Sequence, residues 1–345
     1  MAEIGNTEVP ESQDALKVSV VMPTYNAERY LAKAIESVLS QTFQDFEFII
    51  VNDGSSDGTL EIAQSYAEKD PRIRIISQEN QGGAASRNNG MEVARGEWIA
   101  MMDADDLMLP NRLERQLAFL EENPDVAVAS AFVYHIDDQD RIIGQNESEM
   151  IDRETLQRKL DHNAAFGFSH PAAILNKRAV QEVGGYRPQF EPCEDSDLWN
   201  RVAENGHTVL VQQEFLLKYR IHVNSVCALK VREQVETRRW MEESLRRRRR
   251  GEPEPTWEQY QEIRRQMSWW ARFKEYRANW GKVLYKTAVN SFVEGRYHVM
   301  IPSLFAAFVL TPRTVRVKVW SKFLKPRMLW LVSKTRRPDQ QMLQS

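Results

Sequence analysis

The sequence predicts an α/β protein built on a doubly wound mixed sheet, followed by a C-terminal helical region. Three observations predict it. Short Val- and Ile-rich runs alternate four times with helix-period segments between residues 18 and 123. Polar turns rich in Asp, Gly and Asn follow the ends of those runs, the edge at which open α/β sheets meet ligands. The charge then reverses: residues 230–345 hold 26 Lys and Arg against 11 Asp and Glu, while the whole chain of 345 residues is net −3.

The elements follow in order. VSVVMPTYN (18–26) is a buried strand ending in a Pro turn. The next segment is apolar at 31, 34, 35, 38 and 39, the helical period. FEFIIVNDGSSDGT (46–59) is a second strand running into an Asp/Gly/Ser turn, and LEIAQSYAEKD is a second helix. RIRIIS (72–77) is a third strand, and a third helix opens after Gly82 and Gly83. EWIAMMDADD (97–106) is a fourth strand ending in acids, and NRLERQLAFLEEN a fourth helix. Beyond residue 125 the pattern loosens. VAVASAFVYHID is a strand candidate, read as returning antiparallel; CEDSDLWNRVAENG is helical, and FLLKYRIHVNSV closes the region. We place a flexible polar tail at 1–16, the main domain at 17–229, and a basic helical region at 230–345.

Composition excludes several classes. At 42% hydrophobic and 28% charged, the chain is not disordered by default. Two cysteines, Cys193 and Cys227, make neither a disulfide framework nor a metal-ligand spacing, which points to a reducing cytoplasm. The first residues lack a basic-then-apolar leader pattern. The apolar stretch 299–310 is interrupted by Pro302 and is too short to span a bilayer. The acidic first part does not suit nucleic acid, and LRRRRRG fits a solvated helix end as well as a nucleic-acid contact. For the basic end of the chain, an amphipathic helix on an anionic membrane and a terminal helix packed on the first domain both fit. Trp257, Trp269, Trp270 and Trp280 offer a surface for self-association.

The acids carry the chemistry. Asp103, Asp105 and Asp106 cluster at a strand end, where carboxylates repel unless a cation lies among them. A divalent metal, Mg or Mn, shared with a phosphate resolves that repulsion. Asp106 is read instead as the cap of the helix near Pro110. Glu194-Asp195-Ser196-Asp197 opens a helix; acids there are stabilised by the helix dipole, or supply a general base. Asp53 ends its strand where a ligand is met, and Asp57 or Thr59 is read as capping the next helix. Neither GxGxxG nor GxxxxGK[ST] is present.

The order PTYN (23–26), VNDGSSDGT (51–59), SRNNG (86–90), DADD (103–106), HP (170–171), GGY (184–186), EDSDLW (194–199) and YRIH (219–222) strongly resembles family 2 glycosyltransferases of the GT-A nucleotide-diphospho-sugar transferase fold. The resemblance covers about residues 18–229. It implies that Pro23, Thr24, Tyr25, Asn26 and Asp53 line the nucleoside pocket, with Tyr25 against the base. Arg87 becomes a donor contact. Asp103 and Asp105 match the DxD motif that holds metal and diphosphate, and His222 resembles a residue near that metal. Asp195 matches the catalytic base, with Glu194 beside it. Asn52 and Ser86 depart from the usual Asp and Ala. The implied reaction is inverting transfer from a nucleotide sugar, UDP-sugar favoured, to a glycan or lipid-linked acceptor in surface polysaccharide synthesis. It would run in the cytoplasm or at the inner face of the membrane. A sugar nucleotidyltransferase and a non-catalytic membrane or complex adaptor are the competing classes; the first lacks its Gly-rich first loop.

Overall fold

The computed structural model describes residues 16–146, 150–222, 230–293, 296–312 and 315. The expected N-terminal tail, Cys227 and most of the basic stretch after residue 312 lie outside the described residues. The chain divides into two compact units, one within Met1–Val133 and Asn146–Tyr219, the other within Tyr134–Gln145 and Arg220–Ser345.

Most of the sheet lies in the first unit, while β7 falls largely in the second. The strands are β1 (Val18–Thr24), β2 (Phe46–Asp53), β3 (Ile73–Gln78), β4 (Trp98–Met101), β5 (Leu107–Met108), β6 (Val126–Ile136), β7 (Ile142–Asn146), β8 (Ile174–Asn176) and β9 (Thr208–Arg220). Their order is β3-β2-β1-β4-β8-β6-β9-β5, with β7 pairing β6 off that path. β3, β2, β1 and β4 are mutually parallel. β8 runs antiparallel to β4 and to β6. β6 thus pairs antiparallel with its neighbour β8 while running in the direction of β4, and β5 pairs antiparallel with β9.

Alternation across the pleat explains the core. Val20 and Met22 of β1 enter one apolar cluster with Leu31, Ile35, Phe48 and Ile50. Val21 enters the other, with Ile49, Val51, Ile99, Leu198 and Trp199. Both faces of β1 and β2 are thus covered, which is why these strands read as near-continuous apolar runs. Helix α1 (Glu28–Leu39) buries Tyr30, Leu31, Ala34, Ile35 and Val38, as its periodicity predicts. Helix α3 (Gly83–Val93) lies close against the sheet at Gly90, where an added Cβ would stand 2.6 Å from Val21 Cγ1. The remaining helices of this unit are α2 (Thr59–Ala67), α4 (Arg112–Glu122), α5 (Arg153–Asp161), α6 (Lys177–Glu182) and α7 (Glu194–Glu204).

Two capping expectations need adjustment. Asp106 does not cap α4, which starts after Asn111 with no side-chain cap because β5 intervenes. Asp106 is buried and acts electrostatically on Arg112. Asp57 Oδ1 accepts from Thr59 N at 3.1 Å, while Gly58 holds the N-cap position of α2.

The second unit holds α8 (Val231–Arg249), α9 (Trp257–Gln266), α10 (Trp269–Val293) and α11 (Tyr297–Leu310). The arginine run ends α8 and is met by nearby glutamates: Arg246 and Arg247 by Glu243, Arg248 by Glu254, Arg250 by Glu252. It is a charge-paired helix end. A Thr256–Gln259 capping box starts α9. α10 and α11 cross closely at Gly281, where a Cβ would lie 2.4 Å from Thr311 Cγ2.

Candidate functional site

The C-terminal ends of β1, β2 and β4 present three turns on one edge of the sheet. The first two are tied together. Asn26, held at φ 47°, accepts from Ser56 N at 2.9 Å and donates its own N–H to Ser55 Oγ at 3.1 Å. Ala27 N donates to Thr59 Oγ1 at 2.7 Å. Thr24 is buried and spends its hydroxyl on Val51 O, whereas Tyr25 projects at 56% exposure. Pro23 pairs in register with Val51, half-buried at the strand end.

Asp53 is buried and organises the next loop. Its Oδ1 accepts from Gln81 N at 2.9 Å and Gln78 Nε2 at 2.8 Å, and its Oδ2 accepts from Gly82 N at 2.9 Å. Gly82, at φ 89°, turns the chain into α3. Glu191 reaches that turn from across the fold, accepting from Ala84 N at 3.3 Å. A Cβ on Gly82 would stand 2.9 Å from the flexible Glu191 Oε2, and the φ of 89° is what favours glycine there. No motif marks Glu191 in the sequence; its one signal is its place three residues before Glu194.

Arg87 is the hub. From α3 its Nη1 donates to Glu194 Oε1 at 2.8 Å, and its Nη2 to Asp103 Oδ1 at 3.3 Å. Its guanidinium lies 5.9 Å from the Tyr186 ring centre. Burial pushes the Asp103 carboxyl up, with Arg87 opposing and Asp105 and Asp195 adding to the rise. Five predicted residues, Arg87, Asp103, Asp105, Glu194 and Asp195, therefore share one electrostatic neighbourhood. Behind them, His170 Nε2 meets Tyr186 Oη at 2.8 Å, and the His170 ring stacks on Trp199 at 5.8 Å. Burial, with Arg87 and Arg112, holds His170 well below its ordinary range, hence neutral.

Arg112 supports the acids from beneath. It is fully buried, and its Nη2 donates to Met101 O at 2.9 Å and Ala173 O at 3.1 Å, tying the end of β4 to the segment before β8. Burial lowers its guanidinium to about 9, against the pull of Asp106 and Asp103.

The three acids of the α7 first turn divide. Asp197 is buried and spent on Arg187 and Arg201, so it is a structural ion centre. Glu194 is committed to Arg87. Asp195 is half-buried, its Oδ1 accepting from Ser196 N at 2.6 Å. His222 follows β9 and belongs to the second unit.

Burial raises Glu194 from 4.5 to about 7, with Arg87 opposing and Asp195 adding to the rise. A raised carboxyl binds its proton more tightly in the folded state. Its contribution to stability is complete below 4.5 and lost as pH rises through about 7. We expect Glu194→Gln to flatten the fall of Tm across that window, read in thermal melts of the ligand-free protein. An unchanged slope would place the titration elsewhere.

The residues fit a hard cation. Asp103 and Asp105 offer only oxygen ligands, and Asp105 adds to the rise of the Asp103 carboxyl that Arg87 opposes. Among the described residues no three His, Cys, Asp or Glu side chains converge as a metal-holding group.

Residues 19–184 match the family model described as glycosyl transferase family 2. An uncharacterized glycosyltransferase of Methanocaldococcus jannaschii is 38% identical over 209 residues, 59% of this chain and 70% of that protein. S. aureus TarS in complex with UDP-GlcNAc superposes with a TM-score of 0.54 at 16% identity, over 83% of this chain and 89% of that one. The mannosyltransferase PcManGT from Pyrobaculum calidifontis, in complex with GDP-Man and Mn2+, gives a TM-score of 0.52 at 16% identity, over 88% and 79%. At that identity these two structures speak for the fold, GT-A with a helical C-terminal region.

Proposed function

Because the chain belongs to glycosyl transferase family 2, we propose that this glycosyltransferase is an inverting enzyme using a nucleotide-diphosphate sugar, with a UDP-sugar as the favoured donor. The acceptor is a hydroxyl of a glycan or lipid-linked saccharide, in surface polysaccharide synthesis. The chain works in the cytoplasm, in peripheral contact with the inner face of the membrane through its basic end. The observation that carries the reading is the pairing of Arg87 with both Asp103 and Glu194, beside Asp105 and Asp195, at the C-terminal edge of the sheet.

The step divides among these residues. Tyr25 and Asn26 meet the base and ribose, and Asp53 keeps the Gly82 turn open beside them. Asp195 accepts the proton of the acceptor hydroxyl as its oxygen bonds to the anomeric carbon. The bond from that carbon to the diphosphate breaks on the opposite face, which inverts the centre. Arg87 stands where it can meet the growing charge of the leaving group. A divalent cation held by Asp103 and Asp105 would supply Lewis-acid stabilisation of that diphosphate.

A thermal-shift panel tests the donor site. UDP, GDP, dTDP and CMP are compared with and without Mn or Mg. A ligand at 100 times its Kd stabilises by about 2.7 kcal/mol. We expect a metal-dependent shift with UDP that Asp105→Ala removes. No shift with any nucleotide would sink the donor reading.

A further inference from the structure

The helical hairpin of the second unit carries an exposed aromatic surface to which the proposed mechanism assigns no role. On α10, Trp269, Phe273, Tyr276 and Trp280 are all exposed. Their spacing of four, three and four residues confines them to a stripe about 60° wide at 3.6 residues per turn. Trp270, 71% exposed, widens the stripe. The rings support one another: Trp269 stacks on Phe273 with centroids 5.5 Å apart, and Trp270 meets Trp269 edge-on at 4.5 Å. α11 exposes Ile301, Phe305 and Phe308 at the same kind of spacing.

The borders of the α10 stripe are basic. Arg272 and Arg277 are exposed and fall on opposite sides of it, and Lys274 is exposed nearby. Glu275, the only acid in 269–293, is drawn to Arg239 and Arg264. This is an aromatic band edged by cations.

Three occupants can be weighed by charge. A second copy joined about a two-fold axis would set Arg272, Lys274 and Arg277 against their own counterparts. Residues 316–345 carry eight Lys and Arg against Asp339 alone, the same sign as the stripe's borders. An anionic bilayer has the opposite sign, and Trp and Tyr rings favour its headgroup level. Among the described residues no helix is long and apolar enough to cross a membrane, so α10 would lie on the surface.

We propose that α10, with α11 beside it, docks this chain on an anionic lipid surface, with Trp269, Trp270 and Phe273 entering the headgroup region. Its occupation requires neither donor nor acceptor.

The test is co-sedimentation of the full chain with vesicles of phosphatidylcholine, alone or mixed with phosphatidylglycerol. Wild type should bind the mixed vesicles, shift its Trp emission to the blue, and release as salt rises. Trp269→Ser/Trp270→Ser/Phe273→Ser should weaken binding on the order of a hundredfold. Trp269→Phe/Trp270→Phe keeps apolar contact and should retain binding, which separates lost docking from lost folding. Lys322→Ser/Lys325→Ser/Arg327→Ser should retain the blue shift. The proposal fails if wild type ignores the mixed vesicles or if the Ser triple variant binds as wild type does. It fails also if wild type is a dimer that this variant dissociates, which would assign the stripe to a second copy. Failure of vesicle binding leaves the nucleotide panel unaffected, so the two readings fall separately.

Discussion

Asp195→Asn should lower kcat by about 10²–10⁴-fold while leaving donor Kd nearly unchanged. The expectation rests on how the acids of the α7 first turn are occupied. Asp197 is closed off by two arginines, and Glu194 is held by Arg87. Asp195 alone of the three is half-buried, and it lies near enough to Asp103 to raise that carboxyl. The amide keeps the shape and still accepts from Ser196 N, but it cannot take a proton at neutral pH. Steady-state turnover with a soluble acceptor gives kcat, and calorimetric titration with the nucleotide gives donor Kd. Turnover equal to wild type would remove Asp195 as base. A parallel loss of donor affinity would instead assign it to donor binding. Glu194→Gln is the control: it removes a charge from the same turn, and its largest effect should lie in the pH dependence of stability.

Much of this arrangement is legible in the sequence, because it follows from periodicity and strand-end chemistry. The apolar positions of α1 and the double-faced burial of β1 and β2 are local properties of the chain. The acids after β4 and at the start of α7 stand where topology predicts a ligand edge. What is not legible depends on chain closure. β8, only three residues long, is too short to carry a period, yet it supplies the antiparallel turn of the sheet. β9 begins at Thr208, well before the FLLKYRIH segment that reads as a strand. Asp197 and Asp195 look alike in sequence. In the fold Asp197 is buried and paired with Arg187 and Arg201, whereas Asp195 is half-buried. Asp53 reads as a ligand contact, but its carboxylate is spent on backbone N–H groups of residues 81 and 82.

Arg87→Met should destabilise the ligand-free protein by about 3–5 kcal/mol, the usual cost of removing one partner of a buried ion pair. The Arg87 side chain is 13% exposed, and Glu194 and Asp103 are left facing each other across its place. Removing the cation takes away the main influence holding Glu194 down, so its carboxyl rises beyond about 7. The sign follows. Below 4.5, where Glu194 is protonated in both states, the variant should lose least. Above about 7, where the unfolded chain releases the proton and the folded one resists, it should lose most. Urea denaturation on both sides of that window measures the difference. Arg87→Met/Glu194→Gln should recover part of the loss at high pH and little at low pH, since it removes the charge that lacked a partner. Equal losses at both pH values, with no recovery in the double variant, would mean that Arg87 acts through its packing on Tyr186 and not through its charge.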